Sequence, residues 1–117
     1  MLDAEAIQAA FSHSEAPIVL IGHSHIPIVA QLTEGEVLAK HAPEGVESEV
    51  DDGRLLLNPG SVGQPRDGDP HAAWLLLDLD AGRATFRRTE YDVERTQREI
   101  REAGLPEALA ERLGFGI

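Results

Sequence analysis

Hydrophobic and polar positions along the chain fall into three spacings, and each spacing predicts an element. Between Asp3 and about His13, Ile7, Ala10 and Phe11 recur at i, i+3 and i+4, one stripe of an amphipathic helix. Asp3 suits its N-cap, Ser12-His13-Ser14-Glu15 and Pro17 end it, and His13 is read as solvated at the helix end. Ile18 to Ile21 is an uninterrupted apolar run, the pattern of a fully buried strand. Helix then buried strand suggests a layered α/β domain. Ile28 to Leu32 and Val37 to Lys40 flank Glu34-Gly35-Glu36, a hairpin signal. A polar segment from Ala42 to Gly53 follows, its acids read as a solvated loop, with one short strand allowed from Val46 to Val50. Arg54 to Leu57 and Ala72 to Leu79 read as strands, with Trp74 as core packing. Asp80-Ala81-Gly82 turns the chain into Arg83 to Tyr91, where Ala84 and Phe86 alternate with Arg83, Thr85 and Arg87. One face of that strand is buried and its arginines form a wet face. Asp92 suits the N-cap of a helix reaching about Ala103, closed by Gly104. Pro106 starts a last short helix with Leu105, Leu109 and Leu113 as its apolar stripe. Both terminal helices are expected on the outside of the sheet.

The 117 residues suffice for one domain, 1–117, with a modest core. Cysteine is absent, so thiolate metal sites and disulfides are excluded. No apolar run approaches the roughly 18 residues of a membrane span, and no leader pattern is visible. The expected location is the cytoplasm, with no membrane partner. The net charge is −11, which disfavours attraction to nucleic-acid phosphates. It leaves a metal-dependent site open, because bound cations dominate local charge there.

Two stretches carry chemistry. The first is Ile18 to Ile28, IVLIGHSHIPI. Its apolar run stops at Gly22, and His23 and His25 follow at once. Gly22 permits a sharp change of direction, and Pro27 biases Ile26 towards an extended backbone. Neutral imidazole suits zinc, copper, iron and nickel. A His-x-His in a loop is equally compatible with two solvated side chains. The second stretch is Asn58 to Asp69, NPGSVGQPRDGD, where Gly60, Gly63 and Pro65 fix a tight loop.

In this order and spacing, GHSHIP and NPGSVGQPRDGDP resemble the C-terminal half of the calcineurin-like metallophosphoesterases. The nearest branch is the small bacterial and archaeal phosphodiesterases. The tail, Tyr91-Asp92-Val93-Glu94 and then AGLPEALAERL, is similar to that branch as well. The resemblance implies a mixed α/β fold: part of a four-layer α/β/β/α sandwich, mostly antiparallel, with one strand from the first sheet. It implies a hydrolase of phosphate esters working through two divalent ions, Mn²⁺, Ni²⁺, Fe or Zn²⁺. By this resemblance His23 binds the second metal and His25 the first, and Gly22 lets the strand end approach the ions. Asn58, Gly60 and Ser61 form the adjacent floor, and Arg66 belongs to the substrate loop.

None of the family's early motifs, Asp-x-His, Gly-Asp-x-x-Asp and Gly-Asn-His-Asp, stands ahead of GHSH in the chain; the one Asp-x-His, Asp69-Pro70-His71, follows it in the second loop. No residue is therefore assigned as catalytic. Two imidazoles fall short of the three protein ligands usual for a catalytic zinc. Asp67 and Asp69 are available as oxygen donors, although the family does not use that loop so. The first expectation is a phosphoesterase portion that acts with an N-terminal half. The alternative is a non-catalytic β-sheet module binding a metal or a partner. A missing layer would leave a pairing edge open to self-association or to that partner.

Overall fold

A computed structural model describes residues 3–50 and 53–117; Asp51 and Asp52 of the polar segment lie outside the described residues. Helix α1 (Ala4–Ser12) is capped by Asp3, whose carboxylate accepts from the backbone N–H of Glu5 and Ala6. Seven strands follow: β1 (Ile18–Leu20), β2 (Ile28–Thr33), β3 (Glu36–His41), β4 (Glu47–Glu49), β5 (Arg54–Asn58), β6 (Ala72–Asp78) and β7 (Arg83–Thr89). Helices α2 (Val93–Glu102) and α3 (Glu107–Glu111) and a 3₁₀ turn over Arg112–Gly114 complete the chain. Asp92 caps α2 by accepting from Arg95 N–H. The β2–β3 turn has Glu34 at φ 52° and Gly35 at φ 84°, the paired positive angles of the hairpin turn that matches strand twist.

The strands form two sheets, β1-β5-β2-β3 and β4-β7-β6. Only β1 against β5 is parallel; every other pair is antiparallel. The mixed α/β class and the mostly antiparallel pairing hold, but four strands rather than one make up the first sheet. The second sheet pairs β6 with β7 along their whole length.

Between the sheets lie Val29, Leu55, Leu57, Ala84 and Phe86. Alternation places Leu56 on the other face, where Ile7 and Phe11 of α1 cover it. Each such large apolar side chain contributes about 1.5–3 kcal/mol by burial, so this core is what positions the loops at the strand ends. Arg54 joins α1 to the sheet. Its guanidinium lies 5.2 Å from the Phe11 ring centroid and donates to the carbonyls of Phe11, Ser14 and Ala16.

Three sequence expectations are corrected. Ile18–Leu20 is an edge strand, not a fully buried one, and Leu20 remains 60% exposed. Trp74 lies on the outer face of β6 and donates from its indole to Thr89 Oγ1 at 2.8 Å. Phase explains it: Ala73 on the neighbouring position is the buried one. Of the expected stripe on the last helix only Leu113 is buried, while Leu105 and Leu109 are exposed. α2 buries no residue and is tied to α3 through Gln97 Nε2 and the Ala110 carbonyl; with α3 it borders Gly63 and Gln64 of the loop.

The radius of gyration is 16.0 Å and the extents are 51 × 29 × 19 Å. A compact chain of this length has a radius of about 13 Å. The outer edge of β1 has no strand partner among the described residues. Such an edge, with Leu20 beside it, templates pairing. The isolated chain should therefore self-associate, and its sedimentation coefficient should rise with concentration. A stable monomer across a wide range would contradict this. Among the described residues, no helix is long and apolar enough to cross a membrane.

Candidate metal centre

The GHSH turn begins where β1 ends. Ile21 N–H still donates to the Leu57 carbonyl, and then the backbone leaves the sheet. His23 has φ 77° and His25 φ 61°. Non-glycine residues in this left-handed region cost of order 1–3 kcal/mol each and gather at functional sites. Gly22, by contrast, has no close neighbour where a Cβ would stand. The unusual backbone thus falls on the two histidines rather than on the glycine between them and the strand.

Asn58, at the end of β5, holds this turn. It is fully buried. Its amide nitrogen donates to Ser24 Oγ at 2.9 Å and to the Gly22 carbonyl at 3.3 Å. Its amide oxygen accepts from Gly60 N–H at 3.0 Å. One side chain thus ties the residues flanking His23 to the second loop. Gly60 has φ +89°, and a Cβ there would stand 2.8 Å from both Ala73 Cβ and Pro27 Cγ, so glycine is required. Ser61 Oγ accepts from Gln64 N–H, and its carbonyl accepts from Ala73 N–H. Arg66 is exposed, donates to the Gln64 side chain at 3.0 Å and, through its backbone N–H, to the His25 carbonyl at 3.3 Å.

His25 Nδ1 lies 2.8 Å from the Gln64 carbonyl. A carbonyl only accepts, so Nδ1 carries the proton and the lone pair resides on Nε2. This is the outer-shell arrangement that fixes a ligating histidine. The structure brings His25, Asn58, Gly60, Ser61, Gln64 and Arg66 together, Asn58 from the end of β5 and the others from the two adjoining loops. His23 is exposed at the rim.

Asp67 and Asp69 serve Arg88. The Arg88 side chain is only 4% exposed. It pairs with Asp67, approaches Asp69 at 3.7 Å, and donates to the carbonyls of His71 at 2.9 Å and Asp69 at 3.5 Å. The solvent-face reading of the β7 arginines fails here. Arg88 shares the inward phase of Ala84 and Phe86, so the alternation itself signals its burial. His71 Nδ1 stands 2.5 Å from Asp69 Oδ1. Burial pushes the Asp69 carboxyl up, but hydrogen bonds from His71 and the charge of Arg88 outweigh it and leave the group below its usual range. The same hydrogen bond to Asp69 raises His71. His13 stays at the end of α1 with Nδ1 on the Ala9 carbonyl.

Among the described residues, no three His, Cys, Asp or Glu side chains gather as a metal would need. The donor set fits a divalent ion only in part: two imidazoles, one with its tautomer fixed, and no carboxylate. Gln64, Ser24 and Arg88 were not read as site residues in the sequence. Gln64 acts through its backbone, which composition does not reveal, whereas Ser24 lies inside the motif.

The two sheets carry a turn with His23 and His25 in the left-handed region beside an Asn-Pro-Gly-Ser loop. The chain belongs to the calcineurin-like phosphoesterase superfamily, whose domain model matches residues 2–82. An uncharacterized protein of Methanocaldococcus jannaschii is 40% identical over 99 residues, covering 85% of this chain and 39% of that protein. A crystal structure of a metallophosphoesterase from Sphaerobacter thermophilus superposes with a TM-score of 0.93 at 40% identity, over 100% of this chain and 49% of that one. The chain thus spans about half, or less, of the length of these relatives.

Proposed function

We propose that this chain supplies the last two histidine ligands and the backing loop of a two-metal phosphoesterase centre. It hydrolyses phosphodiesters or phosphomonoesters when the remaining ligands stand opposite. His23 and His25 each take one ion, and Asn58, Gly60 and Ser61 hold the turn that carries them. Divalent ions held there by His23 and His25 together with the remaining ligands would supply the activation of water and the charge stabilisation that phosphate-ester hydrolysis needs. Imidazole donors suit Ni²⁺, Fe or Zn²⁺, and Mn²⁺ would draw on oxygen donors from the remaining ligands. The observation that carries this reading is the Gln64 carbonyl on His25 Nδ1, which leaves Nε2 free for a cation. The acidic, cysteine-free composition is compatible with action in the cytoplasm.

Calorimetric titration with Mn²⁺ or Ni²⁺ tests the ligand assignment. The isolated chain should bind weakly, and the double substitution His23→Ala, His25→Ala should abolish the binding. Equal binding by both proteins would remove the assignment. The second reading, a non-catalytic metal- or partner-binding sheet module, is favoured by the two-donor set alone. It shares the weak binding but gives no turnover in any complex.

A further inference from the structure

Arg88 is the most buried charge in the described ion pairs, and it lies on a strand that contributes no residue to the GHSH turn. Its guanidinium meets two carboxylates and two backbone carbonyls, all within residues 67–71. The preceding residues, Gln64 to Arg66, bracket His25: the Gln64 carbonyl accepts from Nδ1, and Arg66 N–H donates to the His25 carbonyl. Pro65 between them is fully buried and has a fixed φ. Only one residue, Arg66, separates Pro65 from the first anchored carboxylate, Asp67. A displacement of segment 67–71 therefore passes directly to the Gln64 carbonyl.

We infer that Arg88 is a positioning residue for His25: by anchoring segment 67–71 to β7 it keeps the Gln64 carbonyl on Nδ1 and so presents Nε2 to a cation. The inference rests on the reading of His25 as a ligand, but its geometry exists without any ion. Removing Arg88 takes away the donor to the Asp69 and His71 carbonyls and the counter-charge of Asp67 and Asp69, so segment 67–71 loses its tie to β7. Nδ1 then loses its acceptor, and the ring proton redistributes between the two nitrogens. Lysine restores one ion pair but not the planar fork that reaches carboxylates and carbonyls together.

The test is the ¹⁵N spectrum of the His25 ring in the metal-free full chain, at a pH where imidazole is neutral. Wild type should show one protonated Nδ1 and one bare Nε2. Arg88→Ala should move the two ring signals towards each other, Arg88→Lys should lie between, and exposed Arg87→Ala should match wild type. If Arg88→Ala does not fold, Asp67→Asn carries the same comparison, because it removes the carboxylate nearest Gln64 while leaving Arg88 in place. A folded Arg88→Ala, or failing that Asp67→Asn, with an unchanged His25 spectrum would overturn the inference. Because no metal is added, loss of the spectral effect is distinguishable from failure of metal binding. With Ni²⁺ added, the affinity of the variant should fall about 10–100-fold, as for other outer-shell partners.

Discussion

Hydrolysis of a chromogenic phosphodiester by this chain alone should stay at the uncatalysed background, even with millimolar-range Mn²⁺ or Ni²⁺. Two-metal hydrolysis needs ions roughly 3.5–4 Å apart, and a bridging carboxylate sets that spacing. Here the carboxylates of the second loop, Asp67 and Asp69, are committed to Arg88. Two histidines outside the turn that could donate a proton to the leaving group are engaged elsewhere. His13 is tied to its own helix and His71 to Asp69. Turnover should appear when a polypeptide carrying the Asp-x-His and Gly-Asn-His-Asp motifs is supplied; the unmatched half of the Sphaerobacter metallophosphoesterase is the natural reagent to try. In that assembly His25→Ala should lower the rate by more than about 100-fold, beyond the loss of an outer-shell partner. Robust turnover by the lone chain, lost on chelation and in His25→Ala, would show that this chain needs no complement.

Asn58→Ala should cause the largest loss of stability among single changes at the site. The amide fills a fully buried position and makes three hydrogen bonds. Truncation leaves Gly60 N–H and the Ser24 hydroxyl without that partner, at about 1–3 kcal/mol for each buried group left unpaired. A total of roughly 2–4 kcal/mol lowers the melting temperature by about 10 °C in a domain of this size. Asn58→Asp should lie between, because it keeps the acceptor for Gly60 and loses the donor to Gly22. A melting temperature for Asn58→Ala indistinguishable from wild type would mean that the turn is held by something else.

Much of this architecture was legible in the sequence because it rests on local signals. Asp3 and Asp92 cap the helices that their positions announced. Glu34-Gly35 turns the hairpin, and Ala84 and Phe86 point inward as their alternation requires. An apolar run such as Ile18–Ile21 reports that a strand is to be covered, but not that the cover comes from this chain. Trp74 and Leu105 fail because size alone suggests burial, whereas Trp74 stands out of phase with the buried Ala73 and Leu105 is exposed. At the site, the histidines and the Asn-Pro-Gly-Ser loop were visible as motifs. The contacts that set their geometry were not, because Gln64 acts through a carbonyl and Arg88 approaches from a strand 24 residues beyond it.

Anomalous diffraction at the manganese edge, from crystals of the chain bound to its complement, tests the central claim most directly. The account predicts two neighbouring peaks, one against His25 Nε2 and the other against His23. Metal peaks in the assembled site that touch neither histidine would contradict it.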